Sequence, residues 1–250
     1  MGTKRSGSGQ AYAAHWDRIA PKWTDEVFNT LLCARNQVVA AELKSAARHA
    51  SNIADFGCGI GTYLPMLSRL FDEVSGFEQS PKCVDIARKK HRARKNVSIE
   101  VAHRATPAMR SRFDAVLCVN VAIHPRKSEW HQVLRSMKTM LKPAGRFLLV
   151  VPSVESGALI AQARMITADR ELASYAQSGV RSRIRPGVVR FGGVPTKHFA
   201  QKELRGHLAD LGLKQIRFRR VEYSWPSHGI TPPRELRDAR PWDWLVLARR

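Results

Sequence analysis

The sequence predicts an α/β fold in which a mostly parallel sheet is covered by helices, and three observations predict it. Short apolar runs of strand length alternate with amphipathic stretches of helical length between residues 51 and 151. The run Phe113–Val119 is almost wholly apolar, which is typical of a strand buried on both faces of a parallel sheet. A glycine-rich turn, Gly57–Gly61, joins the first apolar run of this alternation to the helix that follows.

Residues that start or stop helices delimit the elements. Ser80 is a favourable N-cap and Pro81 a favourable first-turn residue, whereas Gly145 and Gly212 follow helical stretches and end them. The segment between residues 103 and 112 has room for only a turn or two. The predicted elements in chain order are helix 26–47, strand 51–56, helix 62–70, strand 74–78, helix 81–90, strand 97–101, strand 113–119, helix 130–141, strand 146–151, helix 158–176, helix 201–211, strand 213–223 and strand 242–248.

The run IADFGCGIGT, residues 53–62, carries the strongest functional signal. Glycine lets the backbone turn sharply and lets a ligand lie against the main chain. Dinucleotide enzymes use a related pattern, G-x-G-x-x-G, but here the third glycine comes one residue early and Thr62 stands at the last position. An ordinary strand-to-helix turn would contain similar glycines, so the run needs a second feature beside it.

Glu78 is that second feature. It ends the predicted strand 74–78, about twenty residues beyond the first glycine, where a ribose-binding acid is expected. An ionised carboxylate accepts hydrogen bonds from both ribose hydroxyls. The alternative is a solvated glutamate at a strand end. Gln79 follows and is a candidate for contact with the adenine edge.

The combination of motifs resembles the class I S-adenosylmethionine (SAM) methyltransferases, over roughly Ala11 to Arg249. The matching pieces are the glycine run, Glu78, the strand entry RFDAV at 112–116, the turn LKPAG at 141–145, LGL at 211–213 and WDWLV at 242–246. The resemblance implies a doubly wound, Rossmann-like sheet of seven strands, the last of them inserted antiparallel to the rest. It also implies SAM as the cofactor, with S-adenosylhomocysteine (SAH) as its product.

The resemblance also implies the cofactor-binding residues. Asp55 should organise the loop or reach the methionine amino group, Glu78 should hold the ribose, and residues after the fourth strand should lie near the methionine end. Aromatic residues near the N-terminus resemble a cofactor cover, since aromatic faces attract a cationic sulfonium, although they also suit packing of the first helix on the sheet. The implied set is Tyr12, Trp16, Trp23, Asp55, Gly57, Cys58, Gly59, Gly61, Glu78, Gln79, Asn120 and Val121.

The sequence departs from the family after the third strand. The family often has an acid there that meets the adenine amino group, whereas this chain reads VAHRA at residues 101–105. Either His103 or a backbone group substitutes, or cofactor affinity is reduced. That departure leaves open the hypothesis that the chain has a methyltransferase fold but no longer catalyses methyl transfer.

His124 is the predicted general base, if the acceptor must lose a proton, because it follows the fourth strand and histidine titrates near neutrality. A loop or capping role ahead of Pro125 is the alternative, and His198 and Glu155 are weaker candidates. Neither H-E-x-x-H nor another metal-ligand spacing occurs, so a metal-dependent route is disfavoured.

The composition bounds partners and location. A net charge of +21 favours polyanions, although an excess of solvated basic residues gives the same number. Four single cysteines without a C-x-x-C motif fit a reducing, intracellular compartment, cytoplasmic or organellar. The sequence shows neither a membrane-spanning run nor a signal peptide.

The predicted organisation is a disordered tail at 1–10 and one domain at 11–250. Within the domain, the resemblance implies an N-terminal helical cover at residues 11–48 and an insertion at residues 152–197 that covers the substrate. Packing of the insertion's helix on the sheet edge is the alternative. Methyl transfer to a small organic acceptor is the first hypothesis, supported by apolar residues of the insertion, Leu159, Ile160, Ile166 and Leu172. RNA-directed methyl transfer is the second, and a catalytically silent RNA- or ribosome-binding module is the third. A nicotinamide oxidoreductase comes last because the glycine spacing is wrong for it.

Overall fold

A seven-stranded sheet forms the centre of the structure, a computed structural model that describes residues 14–23, 27–166, 187–191 and 194–250. Its strands are β1 (Asn52–Phe56), β2 (Glu73–Glu78), β3 (Val97–Val101), β4 (Phe113–Val119), β5 (Leu141–Pro152), β8 (Lys214–Glu222) and β9 (Trp242–Arg249), and a separate hairpin pairs β6 (Val188–Phe191) with β7 (Val194–Lys197). The strands of the large sheet lie in the order β3-β2-β1-β4-β5-β9-β8, and β9 runs antiparallel to both of its neighbours. This confirms the predicted fold class.

Helices cover both faces of the sheet. They are α1 (Val38–Ala47), α2 (Leu64–Leu70), α3 (Pro81–His91), α4 (Lys127–Met140), α5 (Val154–Ile166) and α6 (Gln201–Asp210). On one face, α1, α2 and α3 bury Leu43, Leu67 and Val84; on the other, α4 and α6 bury Leu134 and Leu208. Burying an aliphatic side chain of this size contributes about 1.5–3 kcal/mol, so the two cores hold the layers together.

The strand order places the functional edge of the sheet. The chain leaves β1 for β2 on one side and returns to β4 on the other, so the connections diverge at the carboxyl end of β1. Asp55 pairs with Gly76 of β2 and with Leu117 of β4, which puts the ends of these three strands at one edge. Ligands of open α/β sheets bind in the crevice that such a divergence leaves.

The helix predicted over 26–47 is wrong as a single element. The structure has one helical turn at Thr30–Cys33, capped by the Asn29 side chain, and then α1. Between them Ala34 forms a β-bridge with Tyr223, and Gln37 takes a positive φ of 47°. Pairing with the end of β8 therefore outweighs the local helical periodicity.

The insertion also differs from its prediction. α5 begins at Val154, four residues before the predicted start, and the predicted stretch 167–176 lies outside the described residues. The hairpin β6–β7 was not predicted. Leu159 and Ile160 pack toward Ala163, Trp225 and Ile230, which form a small apolar cluster of their own.

Candidate active site

A partly open cavity lies at the carboxyl ends of β1, β2 and β4 and encloses about 770 Å³ of space, its mouth included. The loop after β1, the end of β2, the turn after β4 and the N-terminal segment all contribute to its walls. Its lining consists of Trp16, Trp23, Val27, Phe28, Asn29, Thr30, Asp55, Gly57, Cys58, Thr62, Tyr63, Glu78, Gln79, Val119, Asn120 and Val121.

The glycine loop is shaped by close contacts on both sides. Gly57 has φ of 81°, and a Cβ there would lie 2.2 Å from Cγ2 of Val121. Gly59 has φ of 55°, and a Cβ there would lie 2.4 Å from Cζ2 of Trp23. Any larger residue at either position must move a wall of the cavity, and its positive φ would be strained as well.

The loop amides are satisfied within the protein. The Gly57 and Cys58 amides donate to the Phe77 carbonyl at 2.7 and 3.1 Å, and the Gly59 amide donates to Oε2 of Glu78 at 3.0 Å. The loop therefore offers a ligand a closely approachable backbone surface rather than a row of free donors.

Glu78 is buried, with 6% of its surface exposed, and it lines the cavity. Besides the Gly59 amide it accepts a hydrogen bond from the Ser80 amide, through Oε1 at 2.9 Å. Burial raises its pKa, and the backbone donors of Ser80, Gly59 and Gln79 oppose that rise. A carboxylate has about four acceptor sites, so Glu78 keeps lone pairs for ligand hydroxyls.

Three polar atoms of the lining are buried and have no hydrogen-bond partner among the described residues. They are Oδ2 of Asp55, the hydroxyl of Tyr63 and Oδ1 of Asn120, which belong to β1, the start of α2 and the turn after β4. Leaving a buried polar atom unpaired costs about 1–3 kcal/mol. Three such atoms around one cavity indicate a polar ligand, with hydrogen-bond donors for Oδ2 of Asp55 and Oδ1 of Asn120.

Among these groups, Asp55 is the one whose raised pKa lies near neutrality. Burial and, secondarily, the nearby charge of Glu78 raise its pKa to about 7. Since no cation among the described residues is bonded to Oδ2, the site disfavours the ionised form of Asp55. A cationic ligand beside Asp55 would relieve that cost.

Asn120 is fixed from behind the cavity. Its Nδ2 donates to the Thr30 hydroxyl at 3.1 Å and lies 3.5 Å from Oδ2 of Asp243, which also accepts from Tyr223 at 2.8 Å. Because these partners take the amide nitrogen, Oδ1 is the atom left for a ligand. Asn120 adopts a positive φ of 55°, a conformation that asparagine tolerates better than most residues.

The N-terminal segment covers one side of the cavity. The Trp16 and Trp23 rings lie 5.7 Å apart, and Trp23 packs with Ala20, Ile60 and Cys83. The segment is held by Asp17, whose Oδ1 accepts from the Ser80 hydroxyl at 2.5 Å and from the Lys82 amide at 3.2 Å. The tryptophans thus both line the cavity and pack the segment onto α3.

Most of the predicted cofactor residues lie together. Trp16, Trp23, Asp55, Gly57, Cys58, Glu78, Gln79, Asn120 and Val121 all line the cavity. Gly59 contributes through its contacts with Trp23 and Glu78. Gly61 faces inward, where a Cβ would lie 2.5 Å from Nε2 of His91, so its role is in packing α2 against α3. Tyr12 lies outside the described residues.

The predicted base is not among the described residues that line the cavity. Nδ1 of His124 accepts a hydrogen bond from the Arg126 amide at 3.0 Å, and burial is the main cause that lowers its pKa. Glu155 accepts from the Gln201 amide and from Nε1 of Trp244, while Nδ1 of His198 lies 3.3 Å from the Ser153 carbonyl. These contacts favour structural roles for all three residues. Residues 101–105 are likewise absent from the described lining.

Seven lining residues were missed by the sequence analysis: Val27, Phe28, Asn29, Thr30, Thr62, Tyr63 and Val119. The first four fall in the stretch that was predicted as one helix, and they line the cavity because the chain is interrupted there. Thr62 and Tyr63 follow the last glycine directly. Their place beside the glycine run is a signal that could have found them.

Comparison with known proteins relates this site and its fold to methyltransferases. Residues 53–145 match a family model described as a methyltransferase domain. Ubiquinone biosynthesis O-methyltransferase of Xanthomonas axonopodis pv. citri is 25% identical over 138 residues, 54% of each chain. The chain thus matches about half the length of this curated relative.

Two solved structures show the same fold. A SAM-dependent methyltransferase from Methanosarcina mazei aligns over 80% of this chain and 92% of its own, with 18% identity and a TM-score of 0.57. The DhpI-SAM-HEP complex aligns over 100% of both chains, with 17% identity and a TM-score of 0.57. The methyltransferase-domain match over residues 53–145 and the shared fold are consistent with the class I SAM-dependent methyltransferases that the motifs resemble.

The lining fits the cofactor of that family. The unpaired oxygens of Asp55 and Asn120 match the donors of an amino-acid ammonium group, and Glu78 has lone pairs for a ribose. Raised carboxyl pKa values beside an aromatic cover also suit a sulfonium cation. The residues present are therefore compatible with SAM.

Proposed function

We propose that this protein transfers the methyl group of SAM to a small organic acceptor. The observation that carries the proposal is the group of unpaired buried oxygens on Asp55 and Asn120 beside Glu78, in one cavity of the sheet edge. This set accepts hydrogen bonds, and no cation among the described residues is bonded to Oδ2 of Asp55, as a ligand with a sulfonium, an ammonium group and a ribose requires.

SAM supplies an electrophilic methyl group on a leaving group that needs little assistance. The chain's own contribution is to orient the two reactants and to keep water out, and orientation alone can lower a barrier by several kcal/mol. Glu78 and Asp55 hold the two ends of the cofactor. Thr30, Tyr223 and Asp243 fix the direction of the Asn120 amide.

A compact acceptor is favoured by the apolar part of the cavity lining. Trp16, Trp23 and Phe28 contribute apolar surface to the same cavity as the polar atoms, and that surface would hold an organic group. The name of the Xanthomonas relative specifies methyl transfer to oxygen. We propose the same kind of acceptor for this chain, namely a hydroxyl group on a small, partly apolar molecule. A phenolic hydroxyl, being acidic, would depend less on a protein base than an aliphatic one.

RNA-directed methyl transfer is the second candidate, and the net charge of +21 favours it. Arg146, Arg217 and Arg249 line a separate cleft at the amino end of the parallel strands, away from the cavity. Such a cluster supports binding of a polyanion more directly than methylation of one.

Calorimetric titration with SAH tests the cofactor assignment. We expect binding in the micromolar range, and the absence of binding at millimolar SAH would overturn the proposal. Transfer of labelled methyl from SAM is then measured with three matched pools: small phenols and hydroxy acids, total RNA, and protein. Label in the first pool alone supports the acceptor class, and label in RNA would replace it with the second candidate.

A further inference from the structure

A second, smaller cleft lies at the amino end of the parallel strands, between α1 and strands β5, β9 and β8, and encloses about 350 Å³ of space, its mouth included. Three arginines from the three strands line it, Arg146, Arg217 and Arg249. Arg217 is exposed, and the other two are partly buried. We refer to this site, with Gln215 and Glu42 in its walls, as the arginine cleft.

The arginines repel one another where they stand. Arg146 and Arg249 lie directly opposite each other in the antiparallel register of β5 and β9, and Lys214 of β8 is also paired with Arg249. Like charges directly opposite across strands are destabilising. Burial, and then the nearby charges of Arg249 and Arg217, lower the pKa of Arg146.

The described residues do little to balance this charge. Glu42 is the carboxylate in the cleft lining, and its Oε1 already forms an ion pair with Arg219 at 2.6 Å. Nη1 of Arg249 donates to the Ala144 carbonyl, which carries no full charge. Nε of Arg146 is buried and has no hydrogen-bond partner among the described residues. The cleft therefore contains a charged donor that an anion would satisfy.

We propose that the arginine cleft binds a phosphate group of a nucleic-acid backbone. Guanidinium groups present planar pairs of donors that match phosphate oxygens, and they suit partly buried anion sites better than lysine does. This site is distinct from the SAM cavity, and the proposal does not depend on methyl transfer.

The surroundings of the cleft favour a polymer over a free phosphate ion. β8 is the edge strand, and its exposed residues Lys214 and Arg220 continue the positive charge beyond the cleft. A strand with several cations along it can contact successive phosphates of one chain. An anionic membrane is less well matched, because the exposed large apolar residues described, Leu32, Val101, Met165, Ile166 and Val189, lie on other elements.

Protection of the sheet edge is the competing explanation. Lysine and arginine on edge strands discourage pairing with other chains and need no ligand. That role would account for Arg217 and Arg219 on β8. It does not account for Arg146, which lies on the interior strand β5 with its Nε buried and unpaired.

The test is binding of a fluorescein-labelled oligouridylate, followed by anisotropy between about 50 and about 200 mM NaCl. The cleft variant is Arg146→Gln with Arg217→Gln. The matched control is Arg92→Gln with Arg104→Gln, exposed residues that lie near β3 at the opposite edge and remove the same charge. Arg217→Gln alone, at an exposed position, serves as a second variant if the double variant is poorly folded.

We expect the cleft variant to weaken binding at least tenfold and to reduce the salt slope by about 1.4, the value for two lost phosphate contacts to a single strand. The control should change affinity less than threefold. Competition by pyrophosphate would support a phosphate site. Equal losses of affinity in both double variants would show that net charge alone explains binding, and would overturn the proposal. Aggregation of the cleft variant with unchanged affinity would favour protection of the sheet edge and would also overturn it. Binding to phosphatidylglycerol vesicles without binding to RNA would also overturn it.

Discussion

Two acidic side chains in the same cavity differ because their hydrogen bonds differ. Glu78 accepts from backbone amides, among them those of Gly59 and Ser80, so its charge is partly stabilised in the folded chain. Oδ2 of Asp55 has no partner among the described residues, and the pKa of Asp55 rises to about 7. Glu78 is thus suited to accept hydrogen bonds from hydroxyls, and Asp55 is suited to pair with a cation.

Asp55→Asn should weaken binding of SAH and remove the pH dependence of that binding. In the wild-type protein a bound ammonium group would lower the pKa of Asp55 from about 7, so binding should tighten as pH rises from 6 to 8 and should release a proton. Calorimetry in buffers of different ionisation enthalpy measures that proton. Asp72→Asn, at an exposed position, is the control, and equal proton release by both variants would contradict the assignment.

Glu78→Ala should weaken SAH binding by about 1–3 kcal/mol, roughly the cost of unmet ribose hydrogen bonds. Calorimetry measures the loss, and circular dichroism checks that the loop change has left the fold intact. Glu73→Ala is the control, because Glu73 is exposed at the other end of the same strand. Unchanged affinity in the Glu78 variant would remove this residue from the site.

At the scale of elements, the N-terminal segment depends on one carboxylate for its position. Asp17 lies at the N-terminus of α3 and accepts from Ser80 and Lys82, where a negative charge also interacts favourably with the helix dipole. Ser80 in turn caps α3 by accepting from the Cys83 amide at 3.1 Å. The start of α3 and the cover of the cavity are therefore coupled.

Asp17→Ala should loosen the cover without touching the cavity wall. We expect a loss of about 1 kcal/mol in stability, the usual cost of a lost helix cap, and about fivefold weaker SAH binding. Hydrogen exchange should accelerate in residues 14–23 and should slow again when SAH binds. Asp85→Ala, at an exposed position on the same helix, should change neither quantity. A weaker affinity with unchanged exchange would assign Asp17 a different role.

At the scale of the whole molecule, buried carboxyl groups make stability depend on pH. The pKa of Asp55 is raised to about 7 and that of Asp243 to about 6, both chiefly by burial. The folded chain therefore keeps protons that the unfolded chain has lost, between about pH 4 and pH 7. Stability that depends on such protons is present at low pH and is lost as pH rises through the folded pKa.

Asp55→Asn should thus be more stable than the wild-type protein at pH 8 and should have a smaller advantage at pH 5. One unit of pKa corresponds to about 1.4 kcal/mol, so we expect a difference of at least 2 kcal/mol between the two pH values. Urea unfolding of both proteins at each pH measures it. A difference that does not change with pH would contradict a raised pKa at this position.

The layers of the fold and the glycine loop were predictable from sequence because both are local. Strand and helix periodicities, the Ser80-Pro81 start and the spacing from Gly57 to Glu78 all act within about twenty residues. The interruption of the helix predicted over 26–47 was not predictable in this way. It follows from pairing between Ala34 and Tyr223, which are far apart in the chain.

The sequence by itself determined the alternation, the turn that approaches a ligand and the acid that follows it. Only the tertiary structure decided which way Asn120 presents its amide, because that depends on Thr30, Tyr223 and Asp243 from three other parts of the chain. It also decided that Arg146, Arg217 and Arg249 meet in one cleft. Sheet order brings such residues together, and sheet order is set by long-range pairing that local periodicity does not encode.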